Sequence, residues 1–190
     1  MKMKKYLTLT ALFCALATLP FGAHAEKADK KKPTHIEADQ MNSDDVNQVT
    51  VFTGNVVIKK GSILAKAGQA KMVVDPEGYR YTTLYAAPGQ LASIRQKLDS
   101  GPNHWMEGYG KRIEYNDKDE VAQFFTEARG KKLEGSKVIE DIQGEYLSYD
   151  TKTEFYSAYN TNEGFSRAGA GRVTAVIQPK KTTNNAGAKK

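Results

Sequence analysis

Between residues 34 and 178 no stretch carries apolar residues at helical spacing. Short runs rich in Val, Ile, Thr, Tyr and Phe recur instead, separated by Gly, Asn, Asp and Pro. Strands are expected at 34–39, 48–53, 55–60, 62–74, 80–86, 90–97, 104–116, 120–126, 131–149, 153–159 and 172–178. Three of these (62–74, 104–116 and 131–149) are long for a single strand, and each is expected to bend or to break at a glycine. The turns have mechanisms. Asn116-Asp117-Lys118-Asp119 and Asp150-Thr151-Lys152-Thr153 suit turns closed by an Asn or Asp side chain. Asp75-Pro76-Glu77-Gly78 offers proline at the second turn position and glycine at the fourth. Strand, turn and strand without crossover helices argue an antiparallel all-β fold.

Along 142–149, Ile142, Gly144, Tyr146 and Ser148 share one face, and Gln143, Glu145, Leu147 and Tyr149 the other. Neither face is cleanly polar, so both meet something for part of their length. In 62–74 the small residues Ala65, Ala67 and Gly68 leave room for neighbouring strands or for a ligand. An internal repeat is visible. Ile36-Glu37-Ala38 parallels Met106-Glu107-Gly108, Phe52-Thr53-Gly54-Asn55 parallels Phe125-Thr126-Glu127-Ala128, and Lys66-Ala67-Gly68-Gln69 parallels Gln143-Gly144-Glu145-Tyr146. Two copies of one β unit, stacked, bury a continuous core and leave a strand edge at each end. Open edges of that kind can pair with other chains.

Ahead of this region, residues 1–25 read as an export signal. Lys2, Lys4 and Lys5 precede an apolar run from Leu7 to Phe21, and Ala23-His24-Ala25 places small residues at the cleavage site. The run is shorter than the roughly 20 residues that span a bilayer. Cys14, the one cysteine, leaves with it, which removes thiol catalysis and thiolate metal ligation. Residues 26–33 are expected to be a flexible basic flank, and 179–190 a disordered basic tail. The body between them, 34–178, holds 17 basic and 20 acidic residues. The basic charge therefore sits at the ends, which argues against nucleic-acid binding.

A search for chemistry finds little. His35 and His104 are the only histidines after the signal, and no Gly-x-Ser-x-Gly elbow accompanies them. Asp117, Asp119 and Glu120 resemble part of a calcium loop but lack its glycine and distal glutamate. Glu107 and Glu114 could form the carboxylate pair of a glycan hydrolase, or be outward charges on strands. A binding or structural protein fits better than an enzyme. Many tyrosines and phenylalanines, with Trp105, are spread along the strands as core, or in part as lining of an apolar groove.

Three segments carry a resemblance. His35-Ile36-Glu37-Ala38-Asp39-Gln40, Val51-Phe52-Thr53-Gly54-Asn55-Val56 and Arg172-Val173-Thr174-Ala175-Val176-Ile177-Gln178-Pro179 together resemble the OstA-like family of periplasmic lipopolysaccharide-transport proteins. The likeness covers most of 33–179. It implies an elongated β-jellyroll of two antiparallel sheets over 34–178, with open edge strands at both ends and an apolar interior for acyl chains. It implies no covalent chemistry and no cofactor. The implied partners are lipopolysaccharide, an inner-membrane OstA-like protein, an outer-membrane lipopolysaccharide translocon and further copies of the chain, head to tail. Thr34 and Ile36 fall on the family's first strand, Ile94 on a position that is aromatic in the family, and Tyr115 on an inward tyrosine. These four are the expected lipid contacts, each with core packing as its alternative. Ile36 and Ala38 at one end, and Val173, Ala175 and Val176 at the other, are the expected partner edges. The sequence departs from the family at Phe125-Thr126-Glu127-Ala128, over 76–103, and in the glycine-rich 164–171. Two rivals stay open: a structural periplasmic adaptor without lipid binding, and an envelope glycan hydrolase.

Overall fold

A computed structural model describes residues 29–101 and 103–179; the signal 1–25 and residues 180–190 of the tail lie outside the described residues. Twelve strands follow in order: β1 His35–Glu37, β2 Gln40–Asp44, β3 Val49–Lys60, β4 Ile63–Val74, β5 Arg80–Tyr85, β6 Ala92–Lys97, β7 His104–Gly110, β8 Arg112–Asn116, β9 Val121–Glu134, β10 Lys137–Asp150, β11 Phe155–Tyr159 and β12 Thr174–Ile177. Every pairing between them is antiparallel.

Four long strands, β3, β4, β9 and β10, each belong to two sheets. Their halves next to residues 57–59, 64–66, 129–134 and 140–143 pair in the order β1-β3-β4-β6-β7-β9-β10-β12. Their other halves pair in the order β2-β3-β4-β5-β8-β9-β10-β11. The result is a two-sheet jellyroll. The corner is made by an extra residue in β3 between Thr53 and Val56, and another in β9 between Phe125 and Ala128. Gly54 and Asn55, then Thr126 and Glu127, take positive φ there, a bulge geometry that bends a strand sharply. Asp39 braces the first corner: its N–H donates to the Gly54 carbonyl at 3.0 Å and its carboxylate accepts from Asn55 Nδ2 at 2.9 Å. A Cβ on Gly54 would lie 2.2 Å from that carboxylate, so this position needs glycine. Asn162 braces the second, accepting from the Thr126 N–H and donating to Thr126 Oγ1.

These corners explain how the strands depart from the sequence expectation. The runs 48–53 and 55–60 are one bent strand, β3. The break expected after 126 is the second corner, inside β9, and the true hairpin is at Gly135-Ser136. The run 104–116 does divide, at Lys111, while 62–74 is unbroken as β4. In β10 the inward face passes from Ile142 to Leu147 and Tyr149 across the corner. Simple alternation therefore assigns its first half and its second half to opposite faces. The polar β2, fully exposed, was not expected. The repeat is real but in a different register. Met41 matches Ile113, Phe52 matches Phe124 and Ile58 matches Gly130 by their pairing partners. The Lys66 and Gln143 segments match as expected.

The core runs the length of both sheets and includes Phe52, Val56, Leu84, Ile113, Phe124, Leu147 and Tyr149. Gly108 lies under the buried Phe124 ring, where a Cβ would come within 2.2 Å of ring carbons; at Gly130 the nearest atom is the flexible end of Leu147 at 2.9 Å. Gly108→Ala is expected to cost about 1–3 kcal/mol, read from the urea midpoint, and Gly130→Ala clearly less.

Beside β12, the Arg129 guanidinium holds Asp141 by two hydrogen bonds, Nε to Oδ1 at 2.8 Å and Nη2 to Oδ2. Those bonds keep the Asp141 carboxyl below its usual range, against the opposing effect of burial. Because its folded value is depressed, the pair's contribution is present above the ordinary 3.8 and is lost as pH falls through the lower folded value. Asp141→Asn should cost about 1 kcal/mol at neutral pH. The gap from the wild type in thermal or urea unfolding should close only below pH 3.8.

Candidate functional site

The strand order fixes where an internal cavity can open. The connections 38–39, 86–91, 111 and 160–173 lie along the corner line, where the two sheets are joined. The hairpin turns 61–62 and 135–136 and the loop 98–103 form the free rim of one sheet. The turns 45–48, 75–79, 117–120 and 151–154 form the free rim of the other. The second rim is built as its sequence indicates. Asn116 Oδ1 accepts from Lys118 N–H at 2.8 Å, Asp150 Oδ1 from Lys152 N–H at 2.8 Å, and Asp75 Oδ1 from Glu77 and Tyr79 N–H at 2.9 Å.

Between the rims lies a cavity of about 190 Å³. Its walls are mainly apolar: Ile58, Ala65 and Ile94 from one sheet, Met72, Leu84 and Ala122 from the other. Charged groups from the rims, among them Lys60, Asp99, Asp117 and Glu120, also line it, and Thr82 and Gln96 are polar residues on its strand walls. Thr34, Ile94 and Tyr115, three of the four expected contacts, line this one cavity. Ile36 lines an adjoining cavity at the β1–β2 end, which shares Thr34, Met72 and Arg80 with the first. Sequence reasoning missed Met72 and Leu84, whose only signal is their place among alternating residues on β4 and β5.

The flank expected to be flexible, 26–33, is docked where it is described. Asp29 is buried, and its carboxylate accepts from Ser62 N–H at 2.8 Å and from Ser62 Oγ–H at 2.5 Å. Lys30 Nζ lies 2.7 Å from Glu120 Oε2 and Lys152 Nζ lies 3.4 Å from Oε1. Burial would push the Glu120 carboxyl up, but these two ammonium groups outweigh it and hold it low.

Among the described residues both ends of the sheet pair are unpartnered. β1 and β2 pair only with β3, and β11 and β12 only with β10. Ile36 and Ala38 are half-buried against the core, whereas Val173, Ala175 and Val176 are exposed. Val173 lies ahead of β12 rather than in it. The Gln178 N–H donates to the Ile139 carbonyl at 2.8 Å. Alternation along an antiparallel strand then turns the Val176 N–H inward to β10 and the Ala175 N–H outward.

The candidate chemistry disperses. Glu107 sits on β7 between Arg95, at 3.2 Å, and the Tyr109 hydroxyl, at 2.7 Å. Burial and this carboxylate push the Tyr109 hydroxyl up to about 12. Glu114 sits on β8 in the other sheet, paired with Arg112 at 3.0 Å. Each glutamate neighbours buried residues that face the core, Met106 and Gly108 or Ile113, so both point outward and share no cleft. Among the described residues no cluster of three or more His, Asp or Glu could hold a metal ion.

A family described as LptA/(LptD N-terminal domain) LPS transport protein matches residues 35–155. The lipopolysaccharide export system protein LptA of Escherichia coli strain K12 is 31% identical over 163 residues, which cover 86% of this chain and 79% of that one. LptA of Haemophilus influenzae is 30% identical over 157 residues, 83% of each chain. LptH of Pseudomonas aeruginosa is 28% identical over 178 residues, 92% of this chain and 95% of its own. The crystal structure of LptH, described as the LptA homologous periplasmic component of the lipopolysaccharide transport device, superimposes with a TM-score of 0.67 at 25% identity. The match covers 80% of this chain and 99% of that one. All of these proteins are named for transport, none for a reaction. With this agreement of fold and of sequence over most of its length, the chain belongs to the LptA/LptD N-terminal domain family of lipopolysaccharide transport proteins.

Proposed function

We propose that the chain is a periplasmic carrier that bridges the two membranes. It holds the acyl chains of lipopolysaccharide between its sheets and extends its groove by end-to-end pairing with like domains. The observation that carries this reading is the junction inside the chain. The two copies of the β unit are joined by β6 on β7 and by β5 on β8. In the second copy β12 and β11 stand where β6 and β5 stand in the first, and β1 and β2 stand where β7 and β8 stand in the second. The free ends therefore carry the same two halves of a junction that the chain already makes once. Charge supports the polarity: Glu37, Asp39, Asp44 and Asp45 mark the β1–β2 end and Arg172 flanks β12. β12 itself is exposed, largely apolar and carries no charged residue or proline, so it lacks those two blunting devices of an edge strand. On this scheme the β1–β2 end meets the inner-membrane OstA-like partner, and the β11–β12 end meets the outer-membrane translocon.

The cavity supplies the affinity. A buried methylene is worth about 0.8 kcal/mol, so an acyl chain of about a dozen carbons gains roughly 10 kcal/mol gross. No charged contact is needed. A photo-reactive residue in place of Tyr115 or Ile94 should form a lipopolysaccharide adduct in cells, and one at the outward Glu114 should not. Tyr115→Asp should weaken lipid binding at least tenfold in a protein that still unfolds cooperatively, and Ile36→Asp less so. Adducts at none of these positions, with the protein exported, would favour the structural adaptor.

The internal junction also sets a register. Ile94 stands opposite Gly108, and the equivalents of that pair at the free ends are Ala175 and Ile36. A chain carrying Ile36→Cys and Ala175→Cys should form a ladder of disulfide-linked oligomers on oxidation. Pairing Ile36→Cys with Val173→Cys should give far less. Equal yields from both would mean that the ends do not join in this register.

A further inference from the structure

Asp29 and Lys30, just ahead of the cavity-lining Thr34, also border the cavity, and the carrier reading gives these two residues no role. The segment 29–34 reaches from the Gly61-Ser62 hairpin on one rim to Glu120 on the other. Its two contacts differ in kind. At the first rim Asp29 is 5% exposed and its carboxylate takes two hydrogen bonds from Ser62. Ser62 Oγ in turn accepts the Lys97 N–H at 3.1 Å, which ties the anchor to β6. Gly61 makes room for it, since a Cβ there would lie 1.9 Å from Asp29 Oδ1. The second hairpin has the same two residues, Gly135-Ser136, but nothing lies within 4 Å of a Cβ at Gly135. The occupied hairpin is thus a property of the flank and not of the turn. At the other rim, among the described residues, Lys30 is held by its ion pair with Glu120, and the Lys30 side chain is 54% exposed.

We propose that residues 29–34 form a clasp over the groove, anchored at Asp29 and latched at Lys30 with Glu120, that must unlatch for an acyl-chain amphiphile to pass between the rims. The proposal rests on the carrier reading. The Lys30 ammonium is half exposed and open to screening by salt, and Glu120 keeps Lys152 as a partner when Lys30 leaves, whereas a buried carboxylate with two donors is held firmly. The latch therefore releases first and the anchor serves as the hinge. The cavity under the closed clasp, about 190 Å³, has Asp29 and Lys30 in its lining, so an acyl chain that enters between the rims must displace the latch.

The test is stopped-flow association of a fluorescent dodecanoic acid with the chain from residue 26 onward. Lys30→Ala should raise the association rate about fivefold to tenfold. A Lys30→Cys, Glu120→Cys pair bridged by a bismaleimide should lower it at least tenfold below the unbridged pair. Added salt should speed the wild type and leave Lys30→Ala unchanged. Saturable binding at one common rate in all forms would overturn the clasp alone. No saturable binding in any form, wild type included, would overturn the carrier reading and the clasp with it.

Discussion

The fold depends on four strands that each turn a corner without leaving the ladder. A strand that simply ended at the corner would expose unpaired N–H and C=O groups there, and a buried unpaired group costs about as much as a lost hydrogen bond. An extra residue at positive φ lets β3 and β9 bend while their flanking residues stay paired. The two solutions differ in cost. At the first corner Gly54 supplies one of the two positive φ values freely. At the second both belong to side-chain residues, Thr126 and Glu127, and external bonds from Asn162 compensate. Because each long strand serves both sheets, the sheets are joined along one line only. They can form a groove, but among the described residues the sheet order does not return on itself, and neither end is capped.

Much of this was legible in the sequence, for reasons that are local. Asn116, Asp150 and Asp75 make the side-chain turns that their types favour, and short β-rich runs fix the fold class. Thr34, Ile94 and Tyr115 reach one cavity because inward strand positions converge wherever two sheets face each other. What was not legible is non-local. A corner inside β3 looks like two strands, since Gly54-Asn55 reads as a turn unless the continuing pairing with β4 is known. A corner inside β9 erases the expected break at 127–130. β2 has little apolar signal because it is exposed along its length and Met41 is its one apolar residue. The repeat was detected by similarity of words, but pairing partners shift Phe52 from Phe125 to Phe124, which restores a buried residue opposite a buried residue. The docking of Asp29 depends on a serine 33 residues away, so no reading of a lysine-rich flank by itself could find it.

The energetics of a carrier place a limit on how such a groove can work. If one acyl chain gains roughly 10 kcal/mol gross on burial, escape to water from any single domain is slow. Moving into the next domain is different, because equivalent apolar walls make the exchange nearly neutral. The transfer barrier then depends on whether the apolar path is continuous, which is what strand pairing at the ends would provide and what a gap of water would destroy. A chain of identical sites has no affinity gradient of its own, so net movement must be set by supply at one end and removal at the other. Within that scheme the two rims have the one freedom the design leaves. The corner line is fixed by a ladder of backbone bonds, the mouth by a short flank held at Asp29 and at the Lys30–Glu120 ion pair. An opening placed along the whole length of the groove, rather than at its ends, would let the polar part of an amphiphile stay in water while its acyl chains travel inside. The distribution of residues agrees with that division: Ile58, Ala65, Met72 and Leu84 in the interior, and Lys60, Asp99, Asp117 and Glu120 at the lips.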